Sequence, residues 1–387
     1  MSGQTGGMRR RGAVFAALVV VASLAGCATR PETGFLEPVA VSAPGATSHE
    51  ILVATTRARD PRPGTLFNGE RASALDFAEL TVSVPPTHVA STVELASTPP
   101  GDPATDFVVR QESYLDGDKE FLRTLNAQLA MRPPGKRRVL VFVHGYNTMF
   151  AEGLYRFAQV VHDSKAVAVP VLFTWASRGK LTDYVYDNNS ATAARDDLEH
   201  TLRLILASDA EQVNILAHSM GNWVTVEALR QIKISGRIPA REKFGHIILA
   251  SPDIDIDVFK SQMRRFGKPK KPFIIVLSRD DKALALSKFI AGGQNRLGAA
   301  ENIDELTALG AIVIDLSDLK GTDSTNHDKF AQLAEVAPDL MPVLQQGVAA
   351  NLNAASQTQQ AGADALGSVV ALPLTILGAP IRIIAGQ

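Results

Sequence analysis

Residues 138–316 alternate short, nearly continuous apolar runs with amphipathic stretches of helical length. The apolar runs are RRVLVFVHG, AVAVPVLFTWA, QVNILAHS, GHIILASPD, PFIIVLSRDD and GAIVIDLSDL. Strands that are apolar along their whole length belong to parallel sheets buried on both faces, with the intervening helices as cover. The sequence therefore predicts an α/β fold with a mostly parallel sheet, and functional groups are expected at the carboxyl ends of its strands.

Two flanking regions extend this pattern. Residues 49 to about 115 carry the shorter β-branched runs ILVATTR, AELTVSVPP, STVELAST and DFVVRQES, which predict extra N-terminal strands. We place the domain at residues 49–345. After His327, the stretch DKFAQLAEVAPDLMPVLQQGVAANL predicts a helix that packs on the sheet. A low-complexity and apolar tail follows at 346–387. Pro373 and Pro380 would break a spanning helix there, so a strand-like or interfacial segment is expected.

The first 26 residues predict an export signal. Three arginines, at positions 9 to 11, precede the uncharged run GAVFAALVVVASLAG. This run ends in LAGC, which resembles the lipobox of bacterial lipoproteins, and Cys27 is the single cysteine of the chain. The resemblance implies lipidation of Cys27 and a lipid-anchored protein of the bacterial cell envelope. No Asp follows Cys27, and by resemblance to Gram-negative lipoproteins this implies the outer membrane, facing the periplasm. Residues 27–48 are rich in Pro, Gly, Ser and Thr and predict a tether.

The stretch VNILAHSMGNW places Ser219 where a predicted strand ends and a helix begins. Serine hydrolases hold their nucleophile at such a turn in the pattern Gly-x-Ser-x-Gly, because the turn crowds the residues two before and two after the serine. Here those residues are Ala217 and Gly221, which are both small. Ser219 is therefore the candidate nucleophile.

A nucleophilic serine needs a base and a third group that orients the base. Around this turn the chain order is serine, acid, histidine. Of the eight histidines, only His246 and His327 follow Ser219, and His246 opens a strand at the wrong end of the sheet. His327 follows the last predicted strand and is the candidate base. Asp281, directly before a predicted helix, is the candidate acid, and Asp280 and Asp253 remain as alternatives.

The oxyanion of the transition state needs two backbone donors. The residue after the nucleophile, Met220, supplies one. The loop VFVHGYN supplies the other through the amide of Tyr146, with His144 as a structural member of the turn. Trp175, Tyr184 and Tyr186 follow a neighbouring strand and either line a pocket or, for Trp175, pack in the core.

The composition of the chain excludes some classes of partner and cofactor. The net charge is −1 and no basic stripe is present, so no nucleic-acid partner is expected. No His, Cys and Asp cluster has metal-ligand spacing, and neither a metal nor a cofactor is expected. The sequence does not determine the oligomeric state.

Five segments together resemble a group of bacterial α/β hydrolases of unknown function, often described as esterase- or lipase-like. They are VLVFVHGYNTMF, LFTWASRGKLTDYVYDNNSA, VNILAHSMGNW, ASPDIDIDVF and LSRDDKALALSKFIAGGQNRLG, and ILVATTR and LTVSVPPTH also fit. The resemblance covers about residues 49–335. It implies the α/β-hydrolase fold, a triad of Ser219, Asp281 and His327, and oxyanion donors at Tyr146 and Met220.

The expected function is that of a membrane-tethered serine hydrolase that cleaves a small-molecule or lipid ester through an acyl-enzyme on Ser219. Two alternatives stay open. One is an acyltransferase or thioesterase with the same chemistry, and the other is an envelope lipoprotein that uses a hydrolase-like fold for binding or scaffolding.

Overall fold

The computed structural model describes residues 30–236, 243–267, 271–321, 323–335, 370–376 and 379–385. The strands are β1 (Thr47–Asp60), β2 (Leu66–Val84), β3 (Val108–Leu115), β4 (Arg138–Val143), β5 (Val169–Thr174), β6 (Gln212–His218), β7 (Phe244–Ala250), β8 (Phe273–Leu277), β9 (Ile312–Asp315), β10 (Val370–Ile376) and β11 (Ala379–Ala385). The helices are α1 (Gly117–Ala130), α2 (Phe150–Asp163), α3 (Tyr184–Ala193), α4 (Arg195–Ala207), α5 (Gly221–Ser235), α6 (Ile256–Phe266), α7 (Lys282–Ile290) and α8 (Ile303–Ala308). Short 3₁₀ turns lie at Leu181–Asp183 and Leu297–Ala299.

The strands within these ranges form one 11-stranded sheet in the order β10-β11-β9-β8-β7-β6-β4-β5-β1-β2-β3. Neighbouring strands from β1 to β9 in this order are parallel. Antiparallel strands complete both edges, with β2 and β3 at one and β11 and β10 at the other. The predicted mostly parallel sheet with extra N-terminal strands is confirmed, but the run STVELAST at 91–98 forms no strand.

Helices pack on both faces because alternate residues of each central strand point to opposite sides. In β4, Val141 lies in the core beneath α4 and α5, whereas the neighbouring Phe142 lies in the core beneath α2. Phe142 stacks on Phe157 of α2 at a ring distance of 5.2 Å. Burying each such side chain contributes about 1.5–3 kcal/mol. This two-sided core fixes the positions of the carboxyl ends of β4, β6, β8 and β9, which lie side by side at one end of the parallel strands.

The segment before β1 lies on the domain, which corrects the predicted tether at 27–48 for residues 30–46. Phe35 and Leu36 are buried, and the Tyr155 hydroxyl donates a hydrogen bond to the Phe35 carbonyl. Gly64 has a φ of +60°, and a Cβ there would lie 2.7 Å from the Glu37 nitrogen. Local composition suggested a linker because this packing depends on long-range contacts. Residues 1–29, with the signal and Cys27, lie outside the described part.

Residues 370–376 and 379–385 form strands of the sheet, as expected of a strand-like segment within the tail at 346–387. β11 pairs with β9, and β10 pairs with β11, which makes β10 the outer strand. Pro373 is tolerated in β10 because an edge strand has unpaired backbone groups. Residues 330–335 are helical, and the rest of the predicted final helix lies outside the described residues. No described helix is long and apolar enough to cross a membrane.

Candidate active site

Ser219 occupies a sharp turn between β6 and α5, with a φ of +52° that is uncommon for a residue with a side chain. Backbone hydrogen bonds hold this conformation: the Ser219 amide donates to the Ala250 carbonyl at 3.0 Å, and the Asp253 amide donates to the Ser219 carbonyl at 3.2 Å. Such a conformation costs about 1–3 kcal/mol and persists only when neighbouring structure fixes it. The turn has the strained strand-to-helix geometry expected of a nucleophile elbow.

The two small residues around Ser219 play different roles. A Cβ at Gly221 would lie 2.3 Å from the His144 carbonyl oxygen, so only glycine fits there. Ala217 is a buried residue of β6, and its methyl group packs in the main core. The turn therefore leaves no room for a side chain at Gly221, whereas it accepts the methyl group of Ala217.

His327 and Asp281 lie together at the carboxyl edge of the sheet. The His327 Nδ1 and Asp281 Oδ2 atoms are 2.7 Å apart, and the Asp281 side chain is fully buried. Asp281 is also the N-cap of α7, since its Oδ1 accepts a hydrogen bond from the Leu284 amide at 3.0 Å. The Lys282 amide donates to the Thr325 carbonyl at 2.9 Å, which fastens the two loops to each other.

The environment of His327 favours its protonated form overall. Burial opposes the charge, but the hydrogen bond to Asp281 and the negative charges of Asp281, Asp328 and Asp253 outweigh it and raise the pKa of His327. A carboxylate that stabilises an imidazolium in this way is the arrangement of a general base oriented by an acid. Among the described residues, none forms a hydrogen bond with the His327 Nε2 atom.

The two alternative acids have other partners. Asp280 binds the Lys329 ammonium at 2.6 Å and accepts a hydrogen bond from the Asn326 amide at 2.9 Å. Asp253 accepts a hydrogen bond from the Ser287 hydroxyl at 2.6 Å and lies 3.2 Å from the Arg296 Nε. Of the three candidate acids, the structure brings Asp281 into hydrogen-bond contact with His327.

His218, directly before Ser219, forms a wall of the site. Its ring stacks on Phe330 at 4.3 Å and lies 4.6 Å from the ring of His327. Burial, aided by the adjacent His327, lowers the pKa of His218 to about 3, so the ring is neutral. Sequence reasoning set this residue aside by chain order alone and gave it no role.

The loop after β4 passes directly over the nucleophile. A Cβ at Gly145 would lie 2.6 Å from the Ser219 Cβ. The backbone amides of Tyr146 and Met220 donate no hydrogen bond to any residue in the described ranges. Both predicted oxyanion donors thus have free N–H groups on segments that adjoin Ser219.

Arg57, which the sequence analysis did not single out, fixes this loop from below. Its side chain is buried and donates to the Thr148 carbonyl at 2.7 Å, the Ser177 carbonyl at 2.8 Å and the Thr174 hydroxyl at 2.7 Å. Burial lowers the pKa of Arg57 to about 10, and the nearby Asp187 counteracts this effect. The only sequence signal for it was its place at the end of ILVATTR.

His144 has the structural role that was expected of it. Its Nε2 lies 2.8 Å from the Thr174 hydroxyl, and burial, with the charge of Arg57, lowers its pKa well below the ordinary value. Trp175 is fully buried, stacks on His144 at 5.0 Å and donates from Nε1 to the His144 carbonyl. Trp175 is therefore a core residue, and Tyr186 lies against Arg178 at 3.6 Å on the surface.

Tyr184 does border the site. Its ring meets that of Tyr146 edge-on at 5.1 Å, and its hydroxyl lies 2.9 Å from the Ser287 Oγ. A cavity of about 410 Å³ opens on the other side, beside His327 and His218. Its charged lining consists of Arg30, Glu152, Arg156, Asp323 and Asp328. Among the described residues, no group of three or more His, Cys, Asp or Glu side chains is arranged to hold a metal ion.

Comparison with known proteins identifies the family of the chain. The model of a family described as alpha/beta hydrolase of unknown function (DUF900) matches residues 119–344, which is more than half of the chain. No curated protein matches the sequence. The matched range contains β4 to β9 with the Ser219 turn, Asp281 and His327. The chain therefore belongs to this family of α/β hydrolases.

Proposed function

We propose that this protein is a serine hydrolase that cleaves carboxylic esters through an acyl-enzyme on Ser219. One observation carries the proposal: the buried 2.7 Å contact between Asp281 and His327, at the sheet edge where Ser219 is held at a φ of +52°. A structural carboxylate–histidine pair needs no strained serine at the same edge, whereas a triad needs both.

In the proposed reaction, the Ser219 Oγ attacks the ester carbonyl and His327 Nε2 takes the serine proton. Asp281 keeps the Nδ1 proton on the ring and stabilises the imidazolium. The oxyanion accepts hydrogen bonds from the amides of Tyr146 and Met220. Collapse of the tetrahedral intermediate expels the alcohol, which takes the proton from His327. Water, deprotonated by the same nitrogen, then attacks the acyl-enzyme, and His327 returns that proton to the Ser219 Oγ as the carboxylic acid leaves.

The Ser219 hydroxyl makes no hydrogen bond with His327 in the described structure. Catalytic hydrogen bonds are often long or misaligned without substrate and tighten in the Michaelis complex. The free Nε2 atom and the free amides of Tyr146 and Met220 are the groups that substrate would engage. The proposal therefore requires the Ser219 Oγ and His327 Nε2 atoms to come into hydrogen-bond contact when substrate binds.

We further propose that lipidation of Cys27 attaches the protein to a bacterial membrane, with the outer membrane as its site. The LAGC stretch after an apolar run supports this assignment. A lipoprotein carries several acyl chains, and more than one chain is needed for stable membrane binding.

The test is the intact mass of the purified protein after exposure to a fluorophosphonate probe. The wild type is expected to gain one probe adduct and Ser219→Ala none. Ser235→Ala, at the far end of α5, serves as the matched control and is expected to label like the wild type. Labelling of Ser219→Ala, or no labelling of the wild type, would contradict the proposal.

A second assay separates hydrolysis from acyl transfer. The purified protein is incubated with a p-nitrophenyl ester, with and without an alcohol acceptor, and the products are identified. The free carboxylic acid is expected as the main product in both. An ester of the added alcohol as the main product would identify an acyltransferase with the same triad.

A further inference from the structure

Five large apolar side chains are exposed next to the candidate active site, and we call them the apolar rim: Leu181, Val185, Leu286, Phe289 and Ile290. Phe289 is 81% exposed and Leu181 is 66% exposed, so neither packs on the domain. Isolated apolar side chains on a surface need no explanation, but a group of them beside a site often marks an interaction surface.

The apolar rim belongs to two elements that are joined at the site. Leu181 and Val185 lie on the 3₁₀ turn and α3, and the other three residues lie on α7, which Asp281 caps. The Tyr184–Ser287 hydrogen bond connects these elements at 2.9 Å, and the Tyr146 hydroxyl donates to the Leu181 carbonyl. The rim is therefore linked to the proposed oxyanion loop through Tyr146, and its α7 residues follow the proposed acid by five to nine positions.

Exposed lysines flank the rim, and Asp183, between Leu181 and Val185, lies 3.9 Å from the Arg178 guanidinium. Residues 282–300 contain no Asp or Glu, and Lys282 and Lys288 are exposed there, as is Lys180 beside Leu181. None of these three lysines forms a salt bridge with a residue in the described ranges. Exposed apolar side chains flanked by lysines on a helix are the features of a segment that lies in the interface of an anionic membrane.

The start of the described chain lies on the same face. Arg30 donates to the Asn147 side-chain oxygen at 2.9 Å and to the Asn147 carbonyl at 2.8 Å, and it also donates to the Gly179 carbonyl. Asn147 follows the proposed oxyanion donor Tyr146, and Gly179 precedes the rim by two residues. Cys27 is three residues before Arg30, and three residues span at most about 11 Å.

We propose that the apolar rim docks on an anionic phospholipid membrane, and that the substrate is the ester of a lipid in that membrane. Lipidation at Cys27 would bring the membrane to this face of the domain, since residues 30–46 lie on the domain and act as no spacer. The docking stands without the proposed hydrolase activity, whereas the substrate class rests on it.

The docking test uses the full-chain protein, reconstituted from detergent into vesicles of phosphatidylethanolamine and phosphatidylglycerol with brominated acyl chains. Phe289→Trp places a fluorophore on the rim. Val167→Trp is the matched control. Val167 is 63% exposed and lies before the amino end of β5, whereas Ser219 lies at the carboxyl end of the parallel strands. The fluorescence of the two native tryptophans is subtracted with the wild type.

Bromine is expected to quench the tryptophan at position 289 and to leave the one at position 167 unquenched. Quenching is expected to weaken in brominated phosphatidylcholine vesicles, which lack net charge. Equal quenching at both positions, or none at position 289, would overturn the docking. If the rim binds a protein partner instead of the membrane, the tryptophan at position 289 would not be quenched.

The substrate class has its own readout. The double variant Leu286→Asp, Phe289→Asp is expected to hydrolyse a phospholipid ester in vesicles about tenfold more slowly than the wild type, since tenfold corresponds to about 1.4 kcal/mol of lost apolar contact. Its rate on a soluble p-nitrophenyl ester and its fluorophosphonate labelling are expected to stay unchanged. Equal slowing on both substrates would overturn the assignment. Quenching at position 289 in a protein that the probe does not label would retain the docking and reject the hydrolase.

Discussion

Replacing Asp281 by Asn separates two roles that one carboxylate performs in this structure. Its Oδ2 atom binds His327 Nδ1 at 2.7 Å, and its Oδ1 atom caps α7 through the Leu284 amide at 3.0 Å. Asn is as good an N-cap as Asp, so Asp281→Asn keeps the cap but removes the charge. Asp281→Ala removes both.

The expected magnitudes differ accordingly. Loss of the charge in a Ser-His-Asp arrangement reduces kcat by about 10⁴, which is about 5.4 kcal/mol of transition-state stabilisation. We therefore expect Asp281→Asn to lose about 10⁴ in kcat on a p-nitrophenyl ester, with little change in KM. Loss of an N-cap costs about 1 kcal/mol. Urea unfolding of Asp281→Ala is thus expected to give a free energy about 1 kcal/mol below that of Asp281→Asn.

Asp280→Asn is the matched control, since Asp280 neighbours Asp281 but binds Lys329 and Asn326 instead. Its kcat is expected to stay within about tenfold of the wild type. The reasoning is refuted if Asp281→Asn keeps kcat within tenfold of the wild type, or if Asp280→Asn loses as much as Asp281→Asn.

Four further predictions follow from the site. The pKa of His327 is raised, and a general base must be neutral, so kcat/KM is expected to fall on the acid side with an apparent pKa above 6.5. In Asp281→Asn this apparent pKa should be lower. An unchanged value in that variant would argue against His327 as the base. Gly221→Ala is expected to destabilise the fold by about 1–3 kcal/mol because its methyl group meets the His144 carbonyl, whereas Ala217→Gly should cost less than about 1 kcal/mol, both by urea unfolding. Arg57→Met leaves buried carbonyls unpaired and is expected to lower both kcat and the free energy of unfolding, the latter by about 1–3 kcal/mol; a fully active variant would exclude its role in the loop. Burial lowers the pKa of His218 to about 3 in the folded protein, against about 6.5 in the unfolded chain. The stability that neutral His218 provides is therefore complete above pH 6.5 and is lost as the pH falls toward 3. His218→Gln should make the free energy of unfolding less dependent on pH in this range.

The local patterns predicted much of the site because the groups that fix it are local. Asp281 was preferred over Asp280 for its place directly before a helix, and the structure shows it as the cap of α7. The turn at Ser219 was predicted from small residues at two positions, which are the ones that a sharp turn restricts.

Features that depend on distant partners could not be predicted in this way. Residues 30–46 carry no periodic apolar pattern, and their position on the domain depends on contacts with residues such as Tyr155 and Val109. Arg57 looked like a charged strand residue, and its burial is compensated by carbonyls from loops about 90 and 120 residues away. Neither arrangement leaves a signal within a short window of sequence.

The position of the last two strands has a consequence for how the chain matures. β9, with Ile312, Val313 and Ile314, is covered by β11, which lies more than 60 residues later in the chain. Until residues 379–385 arrive, β9 presents an open and apolar edge that can pair with another chain. A ribosome stall or a proteolytic cut between His327 and β10 would thus leave an aggregation-prone product that already contains the Ser219 turn, Asp281 and His327. Quality control of this protein is therefore expected to depend on its last strands.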